Sequence, residues 1–219
     1  TIVALETSGR LLDRVTTVFG NLLSAETNDD LEALAQKIMP QLSEHGNNIN
    51  LNEKLFDRVK TVYDNADRSK LTPEDKMLLQ NTYDDFIRRG ANLKGEDKVK
   101  YRQLTSDLSK LTLQFSQNNL KETNNYELVL SDNNQLKGLP ESVVEMAAQT
   151  AKEKGKEGWV FTLSAPSYLP FMTYNEDRDL RKELYMAYNT KCTHDNEYNN
   201  FAIVKDLVNT RMQIAQLLG

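Results

Sequence analysis

The chain has 219 residues, 39% hydrophobic and 27% charged, which is enough for one large domain with a substantial core and matches the composition of a globular protein. Its formal charge of -5 comes from 32 acidic and 27 basic residues spread along the chain, so no long-range positive field draws nucleic acid. No window approaches the apolar length of a membrane span, and Cys192, the one cysteine, rules out an internal disulfide.

Thr1 is not an initiator Met and Gly219 follows directly on the apolar end of a helical pattern, so the sequence reads as a piece of a longer protein. A single domain over 1–219 is the simplest organisation. Any signal peptide would precede residue 1, and the lone cysteine suits cytoplasm or periplasm, with the cytoplasm as the leading expectation.

The elements follow in chain order. A first helix is predicted from Ile2 to Ala25, where Leu5, Ser8, Leu12, Val15, Phe19 and Leu22 recur at spacings of three and four. Ser8 and Gly9 place small residues on or beside that seam, which predicts close approach of another helix, since Gly within a helix costs about 1 kcal/mol against Ala. A second helix follows the capping candidates Thr27 and Asn28, carries Leu31, Leu34, Ile38 and Leu42, and stops at Gly46. A third begins after Asn50 with Leu51, Leu55, Val59 and Val62. The fourth has Thr72 as cap, Pro73 in the first helical position, Glu74 and Asp75 in the first turn, and Arg88, Arg89 and Gly90 at its end, all matched to the helix dipole. The fifth runs from about Asp97 to Asn119 or beyond on Tyr101, Leu104, Leu108, Leu111 and Phe115, a seam that predicts an antiparallel helical neighbour.

The texture then changes. Tyr126 to Leu130 and Trp159 to Leu163 are short, β-branched and aromatic, and read as two strands, with a helix opened by Pro140 and running through Ala151 between them. Helices return over Glu176 to Lys191 and Glu197 to Leu218. The fold class is therefore mainly α, a multi-helix bundle with a small two-stranded β element.

Self-contained catalytic signatures are absent: there is no HExxH segment, no Gly-rich phosphate loop and no Gly-x-Ser-x-Gly elbow. Cys192 and His194 form a Cys-x-His pair, but His45 is the only other histidine, and a zinc site needs three or four ligands at local spacings. The acidic pairs Asp29 with Asp30 and Asp84 with Asp85 read as solvated helical surface rather than as general acid and base.

The run from Trp159 to Tyr188 is less ordinary. A strand leads into Pro166, Ser167, Tyr168, Leu169, Pro170, Phe171, Met172, Thr173 and Tyr174, where two prolines predict an extended path displaying aromatics, followed by a helix that carries Arg178 and Arg181. The same aromatics would also serve to fill the interface between two layers, and composition does not choose between the two uses.

Six segments, IVALETSGRLLDRVTTVFGNLLSAETN, LTPEDKMLLQNTYDDFIRRGANL, GLPE, WVFTL, PSYLPFMTY and RDLRKELYMAY, occur in order along the chain. Together they resemble the N-terminal half of the dipeptidyl carboxypeptidase branch of the thimet oligopeptidase-like zinc metallopeptidases. The resemblance covers essentially the whole of Thr1 to Gly219.

The resemblance implies a mostly helical enzyme in which two halves face each other across a deep narrow channel with zinc on its floor. In that family two His of an HExxH helix and a downstream Glu hold the metal, while the motif's own Glu activates the zinc-bound water. All of those residues would lie beyond Gly219, as would the family's oxyanion-stabilising and terminus-binding groups. No catalytic and no metal-binding residue is thus assigned within 1–219, and this chain alone is expected to be inactive. Its implied role is one half of a two-lobed, channel-type peptidyl-dipeptidase that releases dipeptides from the C-terminus of short peptides, with the C-terminal catalytic domain as partner. Tyr168, Tyr174 and Arg178 are the candidates to face the channel. The final helix, with Phe201, Val204, Val208 and Leu218, is expected to expose an apolar patch toward the other half. An oligopeptide endopeptidase of the same family, or a non-catalytic helical scaffold for a protein partner, are the alternative functions.

Overall fold

Local capping chemistry sets most of the helix boundaries in the computed structural model, which describes residues 1–219. Helix α1 (Ile2–Glu6) ends where the hydroxyls of Thr7 and Ser8 donate to the carbonyls of Val3 and Leu5 at 2.9 and 2.7 Å, and α2 (Arg10–Ala25) starts after Gly9, whose φ is 76°. The single helix expected from Ile2 to Ala25 is therefore two. Gly9 serves this left-handed break and not a close helix contact, because a Cβ there would meet nothing within 4 Å.

Asn28 caps α3 (Asp29–Asn50) by accepting from the Leu31 N–H at 2.9 Å. The helix runs through Pro40 and past Gly46, where the sequence pattern predicts a stop. Tertiary contacts override the local preference there: Asn47 is buried with its amide donating to Thr105 Oγ1 at 2.8 Å, and Leu51 just beyond is 3% exposed. Helix α4 (Glu53–Asn65) is capped by Asn52 and starts after the expected Leu51, which ends α3, whereas α5 (Pro73–Arg88) is capped by Thr72 with proline in its first turn, as expected. Helix α6 (Gly95–Asn125) is the longest. Arg102 reaches Glu44 and Asn48, Thr105 meets Ser43 and Asn47, and Lys98 pairs with Glu53. These side chains join α6 to the second half of α3 and to the start of α4.

Strands β1 (Leu128–Leu130) and β2 (Trp159–Phe161) pair antiparallel with Leu128 opposite Phe161 and Leu130 opposite Trp159. Between them lies α7 (Glu141–Glu153), and after them come α8 (Ala165–Tyr174), α9 (Arg178–Asn189) and α10 (Phe201–Leu218). The mainly α fold with a two-stranded β element is borne out. The extended path expected over Pro166 to Tyr174 is not: the segment is helical. Pro166 falls in the first turn, where a missing N–H costs nothing, and only Pro170 removes an interior hydrogen bond. α10 starts later than the expected Glu197, because Asn196 and Asn199 bind the backbone N–H groups of Tyr198 and Phe201 at 2.9 Å each and hold the preceding chain in turns.

The chain divides into two compact units, one of residues 1–113 with 205–219 and the other of 114–204, so the divisions fall inside α6 and α10. In the first unit, Phe56, Val59, Leu79 and Phe86 join α4 to α5, and Tyr63 stacks on Tyr83 at 4.0 Å. In the second, Leu130, Phe161, Phe171 and Leu184 form a core over which α7 and α8 lie against β2, with Phe161 edge-on to Phe171 at 4.6 Å. Gly158, with φ 84°, lets β2 approach β1: a Cβ there would stand 2.1 Å from the Leu130 carbonyl oxygen.

Gly158→Ala is expected to cost at least about 2 kcal/mol, since backbone strain and a clash with backbone add together. Gly9→Ala shares the strain but has open space, and is expected to cost about 1 kcal/mol. Urea denaturation followed by circular dichroism, with Trp159 fluorescence as the local probe of β2, checks the order of the two.

Candidate functional site

Residues 190–200 connect α9 to α10 and are fastened by a carboxylate 70 positions before Cys192. One oxygen of Glu122, near the end of α6, accepts the Cys192 backbone N–H. The other lies 2.6 Å from His194 Nδ1 and 3.5 Å from Asn196 Nδ2. His194 Nε2 is 3.2 Å from Thr190 Oγ1, and Lys191 donates to Thr123 Oγ1 at 3.2 Å while its ammonium sits 4.3 Å above the Tyr188 ring. Asn200 closes the segment: its N–H donates to the Cys192 carbonyl at 2.8 Å, and its side chain accepts from Asn118 and donates to the Phe115 carbonyl. These bonds on both sides hold Cys192 at φ 59°, a left-handed conformation that costs a residue with a Cβ about 1–2 kcal/mol.

Burial alone would raise the Glu122 pKa, but the hydrogen bond with His194 and those from Cys192 and Asn196 together outweigh it and hold the carboxyl below its usual range. Burial pushes the Cys192 thiol up to about 11, and Glu122 acts in the same direction. The thiol is protonated at neutral pH and is no nucleophile. Beside the cluster opens a cavity of about 430 Å³, with His194, Glu122, Thr190 and Thr193 on its polar side and Leu163 and Met186 on its apolar side. Tyr126 also lines it, although its hydroxyl is buried without a hydrogen-bond partner and its pKa is pushed up to about 12, by burial first and then by Glu183.

The order carboxylate, imidazole, hydroxyl along Glu122, His194 and Thr190 has the outline of a nucleophile and its base. Thr190 Oγ1, however, donates to the Met186 carbonyl at 2.7 Å and is committed to the end of α9. The cluster fastens a connection. It does not fit a metal either: no group of three or more His, Cys, Asp or Glu side chains is arranged to hold one, and in the Cys-x-His pair His194 turns Nδ1 to Glu122 while the Cys192 thiol stays protonated.

The three channel candidates lie in different settings. Tyr168, on α8, is partly buried against the core of its unit and stacks on Tyr188 at 4.2 Å. Tyr174, at the last turn of α8, is 52% exposed, and Arg178 opens α9 with its side chain in solvent. Tyr168 and Tyr174 are six residues apart on one helix, so at about 100° per residue they leave it on different sides. Arg181, also singled out by the sequence, donates to the Asn175 carbonyl and so is used for structure. Phe201, Val204 and Val208 of α10 are exposed, as expected, whereas Leu218 is partly buried. Glu122 is the residue that sequence reasoning missed. Its one legible trace was the Cys192 and His194 pair that it binds.

No family model matches the chain. Among curated proteins it is similar to dipeptidyl carboxypeptidase of Escherichia coli (strain K12), 36% identical over 220 residues, covering 100% of this chain and 32% of that protein. Oligopeptidase A of Haemophilus influenzae is 33% identical over 98% of the chain and 32% of its own length, and dipeptidyl carboxypeptidase of Salmonella typhimurium is 34% identical over 100% and 32%. The chain thus spans about a third of the length of the curated relatives it matches. The family resemblance carried by its own segments is borne out from end to end.

Because the folded-state pKa of Glu122 is lowered, the stability its charge contributes is present above the usual Glu value of 4.5 and lost as pH falls through the folded value. Glu122→Gln is expected to be less stable by about 1.5–3 kcal/mol at pH 7, as for hydrogen bonds to a charged group. Urea titrations of both proteins should show that difference shrinking once the pH is below 4.5.

Proposed function

We propose that this chain, which corresponds to the N-terminal region of the thimet oligopeptidase-like peptidases, is the non-catalytic lobe of a longer zinc-dependent peptidyl-dipeptidase and forms one wall of its peptide channel. The observation that carries this reading is the end-to-end similarity to dipeptidyl carboxypeptidases. Short peptides are the substrates and dipeptides from the C-terminus the products. The zinc and its ligands belong to a C-terminal catalytic domain, since the donor set of residues 1–219 does not fit a metal.

In this reading the lobe binds and encloses. A channel wall needs side chains that meet an extended peptide without being needed to hold the fold. Tyr174 and Arg178 meet that description, whereas Tyr168 is engaged in its stack with Tyr188. The exposed Phe201, Val204 and Val208 of α10 are the surface that meets the catalytic domain. A second reading, an oligopeptidase that cuts within the peptide, is favoured by the comparable likeness to oligopeptidase A. The two differ in how the catalytic domain closes or opens the channel.

Full-length protein is expected to cleave a blocked fluorogenic peptide in a manner abolished by a zinc chelator, and residues 1–219 alone at equal concentration to cleave none. Mass analysis of the products from an unblocked short peptide separates dipeptide release from internal cleavage. A full-length protein that cleaves no short peptide under any metal condition sinks the proposal and favours a helical docking scaffold. Within the full-length enzyme, Tyr174→Ala is expected to raise KM several-fold with Tm unchanged, and Tyr168→Ala to lower Tm. The reverse pattern would remove Tyr174 from the channel.

A further inference from the structure

Helix α2 carries more apolar surface than the chain covers. It packs on α3, and its partly buried residues Thr16, Phe19, Gly20 and Leu23 recur at spacings of three, one and three, which marks one face of the helix. Beside that face runs a second seam at spacings of four, three and four: Leu11 is 75% exposed, Val15 58%, Val18 61% and Leu22 46%. At 1.5 Å per residue this seam is about 16 Å long. The polar residues Asp13, Thr17, Asn21 and Ser24 occupy the opposite side. No residue of α2 is buried.

A surface helix of a globular domain turns one apolar stripe to its core and leaves the rest polar. Four large aliphatic side chains aligned in solvent depart from that pattern and mark an interaction surface. What covers them follows from two observations. The matched relatives carry most of their length outside the region that this chain represents, since the chain covers 32% of them. The chain also leaves through the last turns of α10, which belong to the same compact unit as α2. A continuation of the length that the relatives carry would start from the unit that holds the open face.

We infer that the Leu11, Val15, Val18 and Leu22 face of α2 is a docking surface for the part of the parent protein that follows residue 219. This rests on the reading of the chain as the N-terminal region of a longer peptidase. The second seam of α2 is then core, shared between the chain and its continuation, in the same way that the first seam is shared with α3.

The test uses full-length protein carrying Val15→Cys, or Thr17→Cys on the polar face as control, with labelling by a thiol reagent read at each peptide by mass spectrometry. In a monomeric sample the thiol introduced at position 15 is expected to react at least ten-fold more slowly than that at position 17. Leu22→Cys should behave as Val15→Cys does, which guards against one variant that fails to fold. Equal rates at both faces overturn the inference, and so does protection that disappears on dilution, which would mean a second copy covers the face. Each variant is assayed for peptide cleavage in the same preparation. Cleavage with equal labelling rates refutes the docking surface alone, whereas loss of the functional reading shows as an unmodified full-length protein that cleaves nothing.

Discussion

A ribbon of two three-residue strands has too few hydrogen bonds to stand alone in water, and the second unit is organised around covering it. Leu128 and Leu130 on β1 and Phe161 on β2 turn inward, α7 lies along β2, and α8 delivers Phe171 against Phe161. Gly158 is the condition for that closeness, since any side chain at its position would enter the Leu130 carbonyl. Lys154 and Lys156, just past α7, both reach Glu127 before β1 and tie the helix end to the ribbon. α8 follows from the same need: the apolar demand at Phe171 keeps the segment helical although Pro170 removes one of its bonds.

The parts legible in the sequence are those determined by neighbours in the chain. Thr72 with Pro73 and Asn28 act within a few positions, and the structure places them as read, while the β-branched and aromatic runs Tyr126–Leu130 and Trp159–Leu163 form strands that are shorter, Leu128–Leu130 and Trp159–Phe161. The illegible parts are decided at long range. The passage of α3 through Gly46 depends on Thr105, and the fastening of Cys192 and His194 depends on Glu122, which no local pattern connects to them. The error at Pro166 to Tyr174 has another origin. Two prolines four residues apart predict an extended path, yet the first stands where a helix tolerates it and the second removes only a single bond. The aromatic display expected of a strand is accordingly redistributed around a helix, with Tyr168 inside and Tyr174 outside.

Polar groups in the 190–200 connection are spent on geometry. Glu122 receives a backbone N–H and faces His194 and Asn196, and Asn118, Asn199 and Asn200 bind one another or the backbone of the turn. A segment so fully bonded has few polar groups left for chemistry. This explains why the one cysteine and one of the two histidines sit together without forming a reactive pair: the thiol is held protonated and the imidazole faces a carboxylate already committed to the backbone. Chemistry of the kind the family resemblance implies has to be supplied from outside this cluster.

The distribution of apolar residues completes that argument. Cores in both units are covered from within, by α4 with α5 in one and by α7, α8 and the ribbon in the other. Two helices break the pattern in the same way: α2 along Leu11, Val15, Val18 and Leu22, and α10 along Phe201, Val204 and Val208. Helical periodicity is intact in both, so these side chains are placed as core residues are placed, and yet water reaches them. A sequence under no further constraint would replace aligned aliphatics in solvent with polar residues at little cost to the helix, because Glu, Lys and Gln have propensities close to that of Leu. Aligned aliphatic side chains left in solvent on two helices have the pattern of an interaction surface and not that of a solvated helix face.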